Sequence, residues 1–280
     1  MTATEFSGKP LSTAIRAAVA ERAAKLTAAG SLPKLAIVSA SDDGSSAWYV
    51  RSLVTAAGKV GIEADVAALG PEADVDTIAA TLQQLSAAPD VHGIILQTPL
   101  PAGVDHGRLV AEIAPAKDVD GANPVSLGRL ASKHRAFAPA TAEAVIRLLD
   151  DHEVELTGVD VVVVGRSLVV GLPVGLLLTH RDATVTTCHS RTSDLSRHTR
   201  SAGLLVVAIG RAGFITSEHV APGAVVVDVG TNVDDSGALV GDVDPDVAAV
   251  AGALTPVPGG IGPVTTALLL EHAVAAAEAA

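Results

Sequence analysis

Short runs of apolar, mostly β-branched residues alternate with helical stretches along almost the whole chain. Each run is apolar at consecutive positions, which is typical of strands buried on both faces of a parallel sheet. The pattern therefore predicts an α/β fold, in which helices are layered on parallel strands. The predicted strands are residues 34–41, 62–69, 91–100, 160–165, 183–190, 204–210 and 224–230. Helical patterns are found at residues 74–88, 141–153 and 266–280.

The strand pattern stops between about residues 101 and 140, where Pro, Gly and Asp are frequent. We expect this irregular segment to line a cleft between two domains. The predicted domains are residues 1–140 plus 264–280 and residues 141–263. In this division the closing helix packs back on the first domain, which is discontinuous in sequence.

Composition and charge exclude several functional classes. The net charge is −12, from 31 acidic and 19 basic side chains, which argues against a nucleic-acid or anionic-membrane surface. No apolar run reaches the ~18 residues that a membrane span needs. A signal-peptide apolar core is absent from the N-terminus, and the single Cys188 excludes an intramolecular disulfide. We expect a soluble cytoplasmic protein, with no metal site.

A buried strand runs through Gly165 and Gly171 into an apolar helix, in the segment VVVVGRSLVVGLPVG. Small residues in such a turn allow backbone N–H groups to approach a pyrophosphate at a helix N-terminus. The spacing is not G-x-G-x-x-G, so an ordinary tight turn between strand and helix remains an alternative.

The end of the next strand bears on the choice of cofactor. An NAD site offers an acidic residue there to the ribose hydroxyls. This chain instead has His189, Ser190 and Arg191, and Arg166 lies in the preceding turn. This set favours NADP over NAD, although a solvated surface arginine is the alternative for Arg191.

Four further segments stand in order along the chain: WYVRSL (48–53), GIILQTPLP (93–101), PAKDVDGANP (115–124) and TPVPGGIGPVT (255–265). Together with the nucleotide turn and CHSRT, they resemble the methylenetetrahydrofolate dehydrogenase/cyclohydrolase family from about residue 7 to the final helix. The resemblance implies a parallel-sheet folate domain and a Rossmann-type NADP domain, in a homodimer. It also implies hydride transfer from methylene-tetrahydrofolate to NADP+, after which bifunctional members hydrolyse methenyl-tetrahydrofolate to formyl-tetrahydrofolate.

The resemblance implies roles for the matching positions. Tyr49 matches the tyrosine that stacks on the aminobenzoate ring, Gln97 the glutamine of the reaction centre, and Asp120 the aspartate that hydrogen-bonds the pterin. These three are the candidate catalytic residues. Further substrate contacts are implied for Leu53, Leu96, Thr98, Pro258, Gly259 and Gly260. Contacts with NADP are implied for Gly165, Arg166, Ser167 and Ser190, and for Thr231 at a position where the family usually has Ile. Arg191 is added to the candidate cofactor contacts because of its charge.

Each candidate catalytic residue also has a structural alternative. Tyr49 is equally consistent with a core aromatic whose hydroxyl is satisfied. Gln97 is placed where it would satisfy backbone groups at a strand end, and Asp120 where it would cap its Asp-Gly turn. Trp48 has no implied role, and we expect it to pack in the interior.

One position departs from the family pattern Y-V-x-x-K, because this chain has Leu53 four residues after Tyr49. Residues at i and i+4 share a helix face, so the family lysine would project beside the stacked ring. Lys59 points elsewhere at 3.6 residues per turn, and the guanidinium of Arg51 stays protonated near neutral pH. Neither residue is a convincing substitute.

The two family reactions need this amine unequally. Hydride loss from an N–CH2–N centre releases no proton, whereas hydrolysis needs an activated water and a proton for the departing nitrogen. Lost acid–base assistance typically costs ~10²–10⁴-fold in rate. We therefore expect an NADP-dependent dehydrogenase with doubtful cyclohydrolase activity. The alternatives are a fully bifunctional enzyme and a non-catalytic, regulatory folate- and NADP-binding paralogue.

Overall fold

The structure is a computed structural model that describes residues 2–280. Its strands are β1 (Thr4–Glu5), β2 (Lys34–Ser39), β3 (Glu63–Ala68), β4 (Gly93–Gln97), β5 (Asp160–Val164), β6 (Thr184–Cys188), β7 (Leu204–Val207), β8 (Val225–Asp228), β9 (Asn232–Val233), β10 (Leu239–Val240) and β11 (Ala253–Leu254). Its helices are α1 (Lys9–Ala28), α2 (Gly44–Lys59), α3 (Val75–Ala87), α4 (His106–Val110), α5 (Pro124–Ala131), α6 (Ala140–Asp151), α7 (Gly171–His180), α8 (Leu195–Thr199) and α9 (Ile261–Glu278). Two 3₁₀ helices span Ser217–His219 and Pro245–Ala249. Within residues 2–280, no helix has the length and apolarity required to cross a membrane.

The chain forms two compact units. The three-stranded unit comprises Thr13–Ala140 and Thr266–Ala280, and the six-stranded unit comprises the residues up to Ser12 together with Thr141–Thr265. All seven predicted strands are present within their predicted ranges, and the parallel α/β fold is confirmed.

The three-stranded unit is built on the parallel sheet β3-β2-β4. Its central strand β2 is buried along most of its length, whereas the edge strand β3 is largely exposed. Helix α1 contacts the closing helix α9 through Arg22, which pairs with Glu278 at 2.7 Å and with Glu271 at 3.6 Å. The closing helix therefore packs in this unit, as the sequence predicts.

The six-stranded unit contains the parallel sheet β1-β11-β8-β7-β5-β6. Strand β6 lies on one side of β5, and the chain then crosses to form β7 on the other side. The strand order therefore reverses between β5 and β7. In open parallel sheets, ligands bind outside the carboxyl ends of the strands at such a switch point.

The first residues of the chain differ from the predicted division. Strand β1 pairs in parallel with β11, with Thr4 opposite Ala253 and Glu5 opposite Leu254. The residues up to Ser12 consequently belong to the six-stranded unit rather than with residues 13–140. A two-residue strand with exposed side chains has no apolar run that would reveal this pairing. The segment predicted as irregular also contains the short helices α4 and α5.

Candidate active site

Helix α2 determines where Tyr49 lies in the three-stranded unit. The side chain of Asp43 caps this helix by accepting a hydrogen bond from Ser46 N at 2.7 Å. The buried face of the helix is formed by Ser46, Val50, Leu53 and Ala57. Tyr49 stands at the margin of that face and is half-buried, so part of its ring remains accessible.

The Tyr49 hydroxyl is engaged in the interior of the unit. It hydrogen-bonds Thr266 at the start of the C-terminal segment. Burial raises the pKa of Tyr49 to about 12, and the charge of the nearby Asp120 adds to this effect. The hydroxyl is therefore protonated at neutral pH, and its bond to Thr266 fixes the orientation of the ring. Tyr49 thus combines a satisfied hydroxyl with a partly accessible ring.

Asp118 shapes the turn that carries Asp120. Its fully buried carboxylate accepts hydrogen bonds from Ala122 N at 3.0 Å, Asn123 N at 2.9 Å and Ser126 Oγ at 2.6 Å. The turn is consequently capped by Asp118, and the alternative that Asp120 caps it does not hold. Asp118 was not among the candidates predicted from the sequence, although the first carboxylate of the Asp-Val-Asp-Gly segment was the available signal.

The carboxyl group of Asp120 is strongly perturbed. Burial raises the pKa of Asp120 to about 7, the neighbouring Asp118 raises it further, and His272 opposes the shift. His272 is buried on α9, and its Nδ1 donates to the carbonyl of Val119 at 2.8 Å. With this pKa, Asp120 is only partly ionised at neutral pH.

Gln97 and Thr98 follow the carboxyl end of β4. The side-chain amide of Gln97 donates from Nε2 to the carbonyl of Thr98 at 2.6 Å. Ser46 Oγ on α2 donates to the same carbonyl at 3.3 Å. The structure thus has Gln97 bonded to a backbone group at the strand end, the structural alternative for this residue. Leu96 is buried and Thr98 is exposed.

Two neighbours of Tyr49 differ from expectation. Leu53 is completely buried, with 0% of its surface exposed, so it packs in the interior and presents no surface to a ligand in this conformation. Trp48 is 66% exposed, so the expectation that it packs in the interior is wrong. The reason is the helix phase, because Trp48 lies outside the face formed by Ser46, Val50, Leu53 and Ala57.

The Pro258-Gly259-Gly260 loop belongs to the six-stranded unit. Gly259 has φ +117°, a conformation that favours glycine, and its carbonyl accepts from Gly8 N at 2.9 Å. A Cβ at Gly259 would stand 3.1 Å from Cε of Lys9. This loop is held close to the first residues of α1 and has little room for side chains.

The turn after β5 has the close packing that a dinucleotide site requires. Gly165 has φ +132°, and a Cβ there would overlap the carbonyl oxygen of Ala208. A Cβ at Gly171 would overlap the backbone of Gly165. Ser167 Oγ accepts hydrogen bonds from Val170 N at 3.1 Å and Gly171 N at 3.3 Å, at the start of α7. Glycine at both positions therefore lets the backbone of the turn pack closely, which is the arrangement in which backbone N–H groups approach a pyrophosphate.

Basic and hydroxyl side chains stand beside this turn. Val164 on β5 pairs with Cys188 on β6, so Arg166 and Ser190 each follow the end of one of these adjacent strands by two residues. Arg166, Ser190 and Arg191 are exposed. The backbone N–H of Arg191 donates to His189 Nδ1 at 3.1 Å, which shapes the turn that carries both groups. Thr231 is exposed beyond the end of β8.

Family models match both parts of the chain. The model described as "Tetrahydrofolate dehydrogenase/cyclohydrolase, catalytic domain" matches residues 6–120. The model described as "Tetrahydrofolate dehydrogenase/cyclohydrolase, NAD(P)-binding domain" matches residues 139–280. A relative from Saccharopolyspora erythraea, "Bifunctional protein FolD 1", is 60% identical over 97% of this chain and 93% of its own length.

Solved structures agree with these matches. The bifunctional FolD methylenetetrahydrofolate dehydrogenase/cyclohydrolase of Campylobacter jejuni superposes with a TM-score of 0.95 at 38% identity, covering 99% of each chain. The Trypanosoma brucei methylenetetrahydrofolate dehydrogenase-cyclohydrolase superposes with a TM-score of 0.94 at 34% identity, covering 100% of this chain and 98% of that one. The latter structure contains an NADP cofactor and an inhibitor.

Proposed function

We propose, from the premise that this chain belongs to the tetrahydrofolate dehydrogenase/cyclohydrolase family, that it oxidises methylene-tetrahydrofolate with NADP+. The observation that carries the proposal is the grouping of Tyr49, Gln97 and Asp120 in the three-stranded unit. Ser46 of α2 bonds the residue after Gln97, and the charge of Asp120 acts on Tyr49. Formation of NADPH from methylene-tetrahydrofolate by the purified protein is the test.

The chemical properties of these residues suit a reduced folate. The accessible part of the Tyr49 ring offers a flat apolar surface on which the aminobenzoate ring stacks. A pterin carries an amide N–H and an exocyclic amine, which are donors that an ionised Asp120 accepts. The Gln97 amide exchanges its bond with Thr98 for one with the substrate near the one-carbon unit. These three residues orient the folate.

The dehydrogenase step requires orientation more than proton transfer. The two nitrogens flanking the one-carbon unit supply the electron pair as the hydride leaves, and the product is a delocalised amidinium. No proton is released from the folate, so Tyr49, Gln97 and Asp120 contribute by binding and positioning. NADP+, when bound, supplies the hydride acceptor. The retained residues therefore suffice for oxidation to methenyl-tetrahydrofolate.

The six-stranded unit holds the cofactor in this proposal. The glycine turn at Gly165 and Gly171 receives the pyrophosphate, beside Ser167 at the start of α7. Arg166, Ser190 and Arg191 favour the 2′-phosphate, because two guanidinium groups and a hydroxyl are all donors to phosphate oxygens. Positions 190 and 191 carry Ser and Arg, so there is no carboxylate at either position to repel the 2′-phosphate. The resulting preference is for NADP over NAD.

Replacing both arginines tests this preference. Arg166→Ala together with Arg191→Ala is expected to weaken NADP+ binding ~10-fold or more, because charge-assisted hydrogen bonds to the 2′-phosphate are lost. NAD+ lacks that phosphate, so its affinity should change by no more than about twofold. Isothermal titration of each cofactor measures both constants. Equal affinity of the unmodified protein for NADP+ and NAD+ would rule out the preference.

Substitution of Tyr49 separates stacking from core packing. Tyr49→Ala is expected to weaken tetrahydrofolate binding by ~1–3 kcal/mol, the range for an aromatic stacked on a planar heterocycle. Tyr49→Phe is the matched control, since it keeps the ring and removes only the hydroxyl bond to Thr266. Thermal unfolding should show a smaller loss than the ~3–5 kcal/mol typical of a truncated core aromatic. A large loss of stability with unchanged folate affinity would show that Tyr49 is a core residue and not a stacking surface.

We propose that the cyclohydrolase activity of this chain is weak compared with its dehydrogenase activity. The relative from Saccharopolyspora erythraea is named a bifunctional protein, but this chain differs from the family pattern at one position that the second activity needs. In this chain, the apolar Leu53 stands where the resemblance implies an amine. Gln97 retains a hydrogen-bonding amide, but an amide transfers no proton at neutral pH. We therefore expect methenyl-tetrahydrofolate to be released largely unhydrolysed.

The proposal includes a homodimer and a cytoplasmic location. The exposed edge strand β3 supports the first of these, because its unpaired backbone groups are available to a second copy of the chain. Val66 on this strand is 42% exposed, and Trp48 on α2 adds a second exposed apolar side chain in the same unit.

A further inference from the structure

The loops that follow β7 and β8 converge on one buried carboxylate, that of Asp242. Asp242 is 0% exposed. Its Oδ2 accepts from Ile209 N at 2.7 Å and from Gly210 N at 3.0 Å. Its Oδ1 accepts from Arg211 N at 2.7 Å and from Asn232 Nδ2 at 2.9 Å. Both carboxylate oxygens are fully occupied by four donors from two different loops.

The backbone after β7 is shaped for this anion. Gly210 has φ +64°, in the left-handed region that favours glycine. A left-handed residue in such a turn directs successive N–H groups toward one concavity, as in an anion-binding nest. Here the concavity is filled by a carboxylate of the chain itself. The backbone of the loop 209–211 is thus held by an internal anion, and Ile209 also packs against the hydrophobic core of the unit.

A second buried carboxylate holds Asp242 in place. Asp228 at the end of β8 accepts from Asp242 N and Val243 N, each at 3.0 Å, and from Gly230 N at 2.9 Å. A Cβ at Gly230 would overlap the Asp242 carboxyl group. The residues on both sides of Thr231, namely Gly230 and Asn232, therefore touch Asp242. One carboxylate ties together the loop after β7 and the loop that carries Thr231.

These two loops lie where the fold is expected to receive a cofactor. The switch point is between β5 and β7, and Ala208 at the start of the post-β7 loop packs directly on Gly165 of the nucleotide turn. A dinucleotide lies across such a switch point, with one half on each side. Arg166, Ser190 and Arg191 stand on the β5–β6 side, so the loops after β7 and β8 receive the other half.

We infer that Asp242 is a positioning residue of the dinucleotide site, whose buried carboxylate holds the loops after β7 and β8 in the shape that receives the nicotinamide half of NADP. The inference rests on the proposed function for the identity of the cofactor. The Asp242 carboxylate makes no direct contact with the cofactor, because its oxygens are occupied by the four protein donors. It acts through the backbone at 209–211 and through the loop around Thr231.

The test compares the whole cofactor with its adenosine half. Asp242→Asn keeps the shape of the side chain but turns an NH2 group toward two N–H donors, which breaks half of the set. The dissociation constant for NADP+ should rise ~10-fold, the consequence of leaving buried donors unsatisfied. The constant for 2′,5′-ADP, which lacks the nicotinamide half, should change by less than about twofold. Asp246→Asn is the matched control, an exposed carboxylate bonded to Ser217, and should change neither constant.

Amide hydrogen exchange on the unmodified protein keeps the inference testable should Asp242→Asn fail to fold. The amides of Ile209, Gly210 and Arg211 should exchange as slowly as those of β7, and NADP+ should slow them further while 2′,5′-ADP does not. Fast exchange at these amides, or an equal loss of affinity for NADP+ and 2′,5′-ADP in folded Asp242→Asn, would overturn the inference. Binding of NADP+ without dehydrogenase activity would contradict only the proposed reaction.

Discussion

Leu53→Lys is expected to raise the rate of methenyl-tetrahydrofolate hydrolysis by at least ~10-fold, a modest part of the usual acid–base contribution. The substitution places an amine one helical turn from Tyr49, on the side of α2 that the resemblance assigns to catalysis. Leu53 is completely buried, so the longer lysine side chain has to extend out of the interior beside Tyr49 for its amine to reach the folate. Partial burial there should depress the pKa of this amine toward neutrality, where it can carry a proton. Dehydrogenase turnover should change less, since its chemistry releases no proton from the folate.

Leu53→Met is the matched control for this substitution. It gives an unbranched side chain of similar reach without a nitrogen, and it should leave hydrolysis at the unmodified level. A buried lysine also carries a cost in stability, so the unfolding free energy of both variants has to be measured alongside activity. Folded Leu53→Lys protein with unchanged hydrolysis, or an equal gain from Leu53→Met, would show that Leu53 does not limit the cyclohydrolase step.

Asp120→Asn is expected to stabilise the protein at pH 8 and to weaken folate binding at the same time. The pKa of Asp120 is raised from 3.8 to about 7, chiefly by burial. Its contribution to stability is therefore complete below the unfolded value of 3.8 and is lost as the pH rises through about 7. The neutral variant escapes this loss. Its advantage in unfolding free energy should grow from near zero at pH 4 to ~2–4 kcal/mol at pH 8.

The same substitution should lower the affinity for tetrahydrofolate, although it raises stability at pH 8. An asparagine offers one acceptor in place of two, so tetrahydrofolate affinity should fall ~10–100-fold at pH 8. Denaturant titrations from pH 4 to pH 8 measure the stability, and Asp42→Asn, on an exposed carboxylate, is the control. If the difference in unfolding free energy between the unmodified protein and Asp120→Asn did not change with pH, the raised pKa of Asp120 would not be its cause. Unchanged affinity of the variant for tetrahydrofolate would show that Asp120 does not contact the substrate.

The sequence predicted the parts of the fold that depend on long apolar runs. Val161–Val164 is apolar at every position and forms most of β5, which pairs with β6 on one side and β7 on the other. Strands β1 and β11 were missed, because each has two residues and is defined by pairing rather than by its own pattern, β1 with β11 at the other end of the chain and β11 also with β8. The assignment of the first residues to the other unit follows from that omission.

Around Tyr49, the sequence indicated the chemistry better than the packing. The residue types at Tyr49 and Asp120 were sufficient to suggest a folate site. The exposure of Trp48 and the complete burial of Leu53 were not predicted. Ser46 is polar and Ala57 is small, so neither marks the buried face of α2 in a sequence pattern.

Buried carboxylates were the least predictable part of the candidate sites. The partners of Asp242 include backbone amides about 30 residues away, and backbone donors leave no signature in the sequence. Asp118 is similar, since two of its three donors are backbone groups. Such residues become visible only once the loops are placed in three dimensions.

The measurement that tests the central claim most directly is a single-cuvette assay of the purified protein with methylene-tetrahydrofolate and NADP+. NADPH formation and methenyl-tetrahydrofolate absorbance are followed together, against a buffer control for spontaneous hydrolysis. We predict that NADPH and methenyl-tetrahydrofolate accumulate in equal amounts, and that the latter decays at close to the buffer rate. An absence of NADPH formation would contradict the dehydrogenase assignment, and decay of methenyl-tetrahydrofolate well above the buffer rate would contradict the weakened cyclohydrolase step.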